Sequence, residues 1–259
     1  MMKFIKHLIW TTFTRIDAFL KFPGLKKGEI GIQLGFDMEY PLTSDLFLMQ
    51  QRVQKMGKVY GIDPDKNNIQ KALKIIEANK YPISLIHKAV YSHKGEVELA
   101  FGKKPGWNQL KNIPLDHTVE FDDTTALVPM DTLDSIINDE GIDSSKIGHI
   151  NSTINGSEYY ALLGMKELLS SAENLSLTIV AGRYDETGTI DGEADYVKIM
   201  RLLNEYGFTC KFKRMHQLFW WGFVVKLLLN RKWVFGKKNY GIVMAGKGTK
   251  KLKWYQSFS

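Results

Sequence analysis

Three stretches of this 259-residue chain hold the residue types that bind or transform a small ligand. Gly31-Ile-Gln33-Leu-Gly35-Phe-Asp37 closes an apolar run with a glycine and then a carboxylate. A glycine there lets a ligand approach the backbone, and a helix starting beyond it would aim a positive dipole end at the same point. Tyr60-Gly-Ile-Asp63-Pro-Asp65 ends a second apolar run in an acid, placed to accept both ribose hydroxyls of a nucleoside if the run is the second strand of a parallel sheet. Its plainer reading is a turn and a helix cap. The third stretch runs from His149 through Asn151, Thr153 and Asn155 to Glu158. His149, Glu158 and the later Asp185 are the candidate bases for taking a proton from a reacting hydroxyl. Each has a structural alternative: a core histidine, a helix N-terminal charge and a loop carboxylate.

Other chemistries lack their signatures. Neither GxGxxG nor GxxxxGK[ST] occurs, which argues against dinucleotide and phosphate-loop sites. Six scattered His and one Cys form no zinc-ligand spacing, so no metal is expected. The loop Asn151-Ser-Thr-Ile lacks the prolines of base amino-group methylases.

The elements that must position these stretches follow from periodicity and capping. Strands are expected at 29–35, 59–62, 83–90, 96–101, 126–129, 147–152, 175–181, 208–214 and 240–245. Helices are expected from an N-cap at Thr43 to 55, from a cap at Asp65 to 79, from a cap at Asp131 to 138, and over 157–170 and 192–206. Ile69, Ala72, Leu73 and Ile76 should face inward from the second of these. Residues 103–124, with Pro105-Gly106-Trp107, read as an excursion. Strands alternating with helices imply right-handed crossovers and a mainly parallel sheet covered on both faces.

The composition is that of an ordinary globular chain, at 44% hydrophobic and 24% charged. A single Cys210 fits a reducing, cytoplasmic setting. The net charge of +7 is unevenly spread: residues 207–259 hold 12 Lys/Arg, no Asp or Glu, and four of the six Trp. Residues 1–27 read as an amphipathic helix ended at Pro23-Gly24, ahead of one domain over 28–259. An apolar, basic insertion at 216–238 is too short to span a bilayer. Both ends fit either packing within the protein, homo-oligomerisation included, or contact with an anionic membrane surface.

Taken together, the stretches resemble the FkbM-type S-adenosylmethionine-dependent methyltransferases. The resemblance rests on Gly28 to Asp37, Val59 to Asn68, Ile86-His-Lys88-Ala89-Val90, Val128-Pro-Met-Asp-Thr-Leu-Asp134 and Ile150 to Glu158, with Leu162 to Met165. It covers about residues 28–181 and extends more weakly to 210. It implies a Rossmann-like class I methyltransferase fold, a mostly parallel seven-stranded sheet with helices on both faces, and S-adenosyl-L-methionine as cofactor. By the same resemblance Gln33, Gly35 and Asp37 border the methionine end, Asp63 holds the ribose, and Lys88 and Ala89 lie beside the adenine. Asn151, Thr153 and Asn155 would line the floor near the transferable methyl. The chain departs from the family at Gln33, where an acid is usual, at Glu39, where a glycine is usual, and at Thr153 and Asn155, which replace acids.

Such proteins commonly methylate hydroxyls of sugars, glycans or natural products. The implied function is an O-methyltransferase acting on a sugar, glycan or lipid-linked acceptor, peripherally attached to a membrane. The alternatives are a binding or scaffold protein that kept the fold without catalysis, prompted by the four departures, and a nucleic-acid methyltransferase, prompted by the basic tail.

Overall fold

The computed structural model describes residues 18, 21–22, 24–39, 41, 44–104, 106–115, 119–182, 189–214 and 241–252. The stretch Ile30–Leu34 forms strand β1, buried at all five positions. It is buried on both faces because helices cover both faces of the sheet it occupies. From there the chain alternates: α1 Asp45–Val53, β2 Lys58–Ile62, α2 Lys66–Asn79 and β3 Ile83–Ile86. After a diversion come β8 Ile147–Ser152, α4 Glu158–Leu163, α5 Lys166–Ser171, β9 Ser176–Ala181, a separate two-stranded ribbon of β10 Thr189–Ile190 and β11 Glu193–Ala194, then α6 Asp195–Glu205, β12 Thr209–Arg214 and β13 Gly241–Gly246.

These strands form a seven-stranded sheet in the order β3-β2-β1-β8-β9-β13-β12. The pairs β2–β3, β1–β2, β1–β8 and β8–β9 are parallel, while β13 is antiparallel to both its neighbours. A mainly parallel sheet that switches order between β1 and β8, with one reversed strand slotted in beside the last, is the Rossmann-like class I methyltransferase fold. Alternation along the strands divides the core in two. Ile32, Leu34, Ile62 and Ile150 face one cluster, with α4, α5 and α6. Val59 faces the other, with α1, α2, Phe22 and Leu25. Ala18 and Phe22 are both 1% exposed and linked by a helical Phe22 N–H to Ala18 carbonyl bond of 3.0 Å. The expected N-terminal helix is therefore packed on the domain over its described end. Residues 1–17 and the insertion at 216–238 lie outside the described residues, as do Thr43 and Asp185.

A second sheet rises over one end of the first. It has the order β4-β7-β5-β6, from β4 Ala89–Val90, β5 Gly95–Gly102, β6 Gln109–Leu110 and β7 Phe121–Asp131. It has its own core of Val97, Leu99, Leu110, Val128 and Met130. The sequence suggests one strand over 83–90, but pairing with β2 ends at Ile86, whose carbonyl accepts the Asp63 N–H at 3.1 Å. Lys88 then pairs with Asp131 of β7 at 3.0 Å, carrying the chain into the second sheet. That pairing also corrects the expected Asp131 cap. Thr132 caps α3 (Leu133–Asp139), its hydroxyl accepting the Ser135 N–H at 3.1 Å.

Two further expectations change. The helix over 157–170 is two helices, because Asp134 accepts the N–H groups of Glu167 and Leu168 at 2.9 and 3.1 Å and starts α5 afresh. In α2, Ile69, Ala72 and Ile76 are buried, but Leu73 is 40% exposed. The buried three recur at i, i+3 and i+7, and the next residue round the helix falls off that stripe.

Candidate active site

The carboxyl ends of β1, β2 and β8 open into a cavity of about 430 Å³, at the point where the strand order reverses. In open α/β sheets ligands bind there. β1 ends in Gly35 at φ +67°, and a Cβ on this residue would stand 2.4 Å from the Thr153 carbonyl oxygen. Only glycine fits between the two strand ends. Below it, Gln33 is fully buried and acts as a strut. Its Nε2 donates to the carbonyl of Gly35 at 2.6 Å and to Thr153 Oγ1 at 3.2 Å, while its Oε1 accepts from Asn151 Nδ2 at 2.8 Å. Thr153 Oγ1 donates in turn to the Gly35 carbonyl at 2.9 Å. Gln33 and Thr153, two of the four positions that depart from the FkbM-type pattern, thus form with Asn151 a neutral lattice that holds β1 and β8 together.

Asp63, one residue past β2, is 4% exposed. Its Oδ2 accepts the Phe36 N–H at 2.9 Å and its Oδ1 the Asp65 N–H at 2.7 Å. Burial raises its pKa to about 7, against the pull of these two bonds and of Asn68, while the neighbouring charge of Asp65 adds to the rise. Asn68 Nδ2 donates to the Phe36 carbonyl at 2.9 Å, so the loop leaving β1 is fixed on both its N–H and C=O sides.

The second sheet closes the cavity from above. Asn155, at φ +52°, donates from Nδ2 to the carbonyls of Gly106 and Asn108 at 2.9 and 2.8 Å. Asn108 Nδ2 donates to Asp65 Oδ2 at 2.9 Å. The hairpin between β5 and β6 is thereby tied both to the loop after β8 and to the loop after β2. Trp107 and Leu110 line the cavity beneath it.

Of the residues expected from sequence, Gln33, Gly35, Asp37, Asp63, Ala89, Thr153, Asn155 and Glu158 line this cavity. Lys88 does not; it is held by Asp131 and, at 3.9 Å, by Asp139. Asn151 stands behind the wall and bridges Gln33 to Asp45, whose Oδ2 accepts at 3.1 Å. His149 is the clearest correction. It shares a strand face with Asn151 but lies three residues short of the strand end, where Phe22 packs edge-on to its ring at 5.3 Å. Its Nδ1 meets Ser176 Oγ at 2.8 Å. Burial, with the charges of Lys250 and Arg52, lowers its pKa to about 3. A neutral histidine sealed in the core cannot reach a reacting hydroxyl.

Glu158 reaches the cavity but spends its carboxylate on the loop, accepting the N–H groups of Ile154 and Gly156 at 3.0 and 2.7 Å. Sequence reasoning missed Lys21, Ser44, Asp45, Asn108, Ser157 and Asp195 as lining residues. The signal for Ser44 and Asp45 was present in the helix start expected there. Asn108 and Asp195 needed the tertiary fold. The hydroxyls of Ser44 and Ser157 are buried in this wall with no hydrogen-bond partner among the described residues.

No protein-family model matches the chain, and no curated protein matches it. Among solved structures it is similar to Aeropyrum pernix fibrillarin in complex with natively bound S-adenosyl-L-methionine, with TM-score 0.48 and 8% identity over 91% of this chain and 74% of that one. A SAM-dependent methyltransferase from Aquifex aeolicus gives TM-score 0.41 and 13% identity over 89% and 87% of the two chains. The O-methyltransferase TomG from Streptomyces achromogenes, in complex with SAM, gives 0.45 and 8% over 92% and 80%. At these identities and scores they bear on neither the reaction nor the site residues. The fold is established by the order and direction of the seven strands.

Proposed function

We propose that this chain is an S-adenosylmethionine-dependent methyltransferase whose acceptor is a hydroxyl of a sugar, glycan or lipid-linked molecule, in the manner of the FkbM-type enzymes its sequence resembles. The observation that carries this reading is the meeting of Gly35 and Asp63 in one cavity at the switch point of a class I sheet. The residues present fit the cofactor. The volume is in the range of small-molecule and cofactor pockets, and the buried hydroxyls of Ser44 and Ser157, which have no partner among the described residues, suit a polar ligand.

When bound, the cofactor supplies a methyl group on an electrophilic sulfonium. Asp63, held rigidly by two backbone N–H groups, would accept the ribose hydroxyls through its remaining lone pairs. Ala89 and Val90 offer an apolar wall to the base. The hairpin of Gly106 to Leu110 excludes water from above. The acceptor hydroxyl must give up its proton as its oxygen attacks. Among the described lining carboxylates, Glu158 and Asp195 both spend their oxygens on backbone N–H groups. Among the described residues Asp37 bonds only through Oδ1, to the Glu39 N–H, and its Oδ2 lies toward Gly106. We assign proton acceptance to that oxygen.

The deciding experiment is thermal unfolding with S-adenosylmethionine, S-adenosylhomocysteine and, as control, NADH. Ligand at 100 times its dissociation constant adds about 2.7 kcal/mol, a shift of several degrees. No shift with either sulfur nucleoside at millimolar concentration, in folded protein, would favour the scaffold reading, in which the neutral Gln33–Asn151–Thr153 lattice marks a retired site. The membrane half rests on the Trp-rich, basic composition of residues 207–259. Flotation of the full chain with anionic vesicles, but not after deletion of 216–238, is the expected result.

A further inference from the structure

The two ends of β3 carry opposite surface charge. At its start, the turns leading into β1, β2 and β3 are stitched side by side. The Gly28 N–H donates to the Val53 carbonyl at 3.0 Å, the Lys58 N–H to the Glu29 carbonyl at 3.2 Å, and the Val59 N–H to the Pro82 carbonyl at 3.0 Å. Lys26, Lys27, Lys55, Lys58 and Lys80 are exposed along this row of turns, and none is in an ion pair among the described residues. The carboxylate of Glu29 is already held by Lys250 at 2.6 Å, and Glu77, on the last turn of α2, offsets only part of the charge. Met56, between Lys55 and Lys58, is 74% exposed.

Past the other end of β3 lies the second sheet, whose outward face is acidic. Glu96 and Glu98 of β5 stand opposite Pro129 and Leu127 of β7, turned away from Val97, Leu99 and Val128 in that sheet's core. Residues 122–125 of β7 are exposed throughout. β4 pairs only with Met130 and Asp131, so the rest of that edge of β7 has no strand beside it among the described residues. Lys111 pairs with Glu98 and Lys103 with Glu120, while Glu96, Asp122 and Asp123 are in no ion pair among the described residues. Leu127 is 64% exposed; it and Met56 are the two most exposed large apolar side chains among the described residues.

We propose that the basic face at the starts of β1, β2 and β3 docks on the outer face of the second sheet of another copy, so that the chain associates head to tail. One chain carries both halves of the match: unopposed lysines around Met56, and unopposed carboxylates beside Leu127. The two halves lie at opposite ends of β3, so they meet between copies and not within one. Lysines of one copy face Glu96, Asp122 and Asp123 of the next, which fixes the orientation, and Met56 and Leu127 leave water. A two-fold dimer through either face would set like charges against each other. The contact joins two different surfaces, so it extends into a ring or an open row. Its charges are exposed, so salt weakens it.

The test is sedimentation velocity of the full chain over a range of concentrations, at low and at high salt. Wild-type protein should sediment faster as concentration rises at low salt and return to the monomer at high salt. Two double variants separate the faces: Lys55→Gln with Lys58→Gln, and Asp122→Asn with Asp123→Asn. All four side chains are exposed, so both variants should keep the wild-type melting temperature. Each alone should stay monomeric. Mixed in equal amounts they should form a species of two chains that grows no further, since each retains the face the other lacks. Wild-type protein that is monomeric at every concentration in low salt would overturn the proposal. So would a mixture that stays monomeric, or association that persists in either variant alone. Neither result bears on the cofactor reading, which rests on the cavity.

Discussion

Asp63 Oδ2 lies 2.9 Å from the backbone nitrogen of Phe36, so the acid that ends β2 also fixes the loop that leaves β1. The two halves of the ligand cavity are therefore one unit. Asp63→Ala would leave the Phe36 and Asp65 N–H groups buried without their acceptor. A loss of about 2 kcal/mol or more in urea unfolding is expected, together with loss of the S-adenosylhomocysteine thermal shift. Asp63→Asn keeps one acceptor and should unfold less readily than Asp63→Ala, yet still lose ligand. Retained binding in both variants would remove Asp63 from the site.

Asp63 and His149 pull stability in opposite directions with pH. The Asp63 pKa rises to about 7 on folding, so the folded state holds the extra proton and stability falls as pH rises from about 4 toward 7. The His149 pKa drops to about 3, so the unfolded state holds the extra proton and stability falls as pH drops below about 6.5. The two contributions oppose each other over that window. His149→Gln should expose a fall with rising pH and Asp63→Asn the reverse. Urea midpoints at several pH values decide it, and parallel curves for all three proteins would contradict the assignment.

Asn155 ties the hairpin over the cavity through the carbonyls of Gly106 and Asn108. Asn155→Gly preserves the left-handed backbone at φ +52° and removes only those bonds. Amide exchange in residues 106–110 should quicken roughly tenfold, and ligand should dissociate faster. Unchanged exchange would mean that the hairpin is held by its own sheet alone.

Asp37 offers an oxygen facing the hairpin that no other described carboxylate of the wall leaves available. Asp37→Asn should lower kcat about a hundredfold and leave S-adenosylhomocysteine affinity near wild type. A loss of affinity with kcat preserved would instead make Asp37 a ligand contact.

The succession of strands and helices along the chain was readable from the alternation of apolar runs and caps, and Asp65 caps α2 as its position suggested. The direction each side chain faces was not. His149 and Asn151 share a face of β8, and what separates them is Phe22, over a hundred residues away in the chain. The second sheet escaped notice because β4 and β6 are two residues each, too short to show a period. The partners of Gln33, Asn151 and Thr153, are 118 and 120 residues from it. Polar residues in β1 and β8 signal a network only once β1 and β8 are known to be adjacent.

β13 enters the sheet between β9 and β12, both of which precede it in the chain. During synthesis β12 therefore has no sheet to join until residues 241–246 have left the ribosome. Lys250 then seals the assembly, reaching the carbonyls of Gly24 and Gly148 and the Glu29 carboxylate. A chain cut short before residue 241 would expose the edge of β9 and strand β12 beside it, and should be recovered as aggregate rather than as a smaller folded domain.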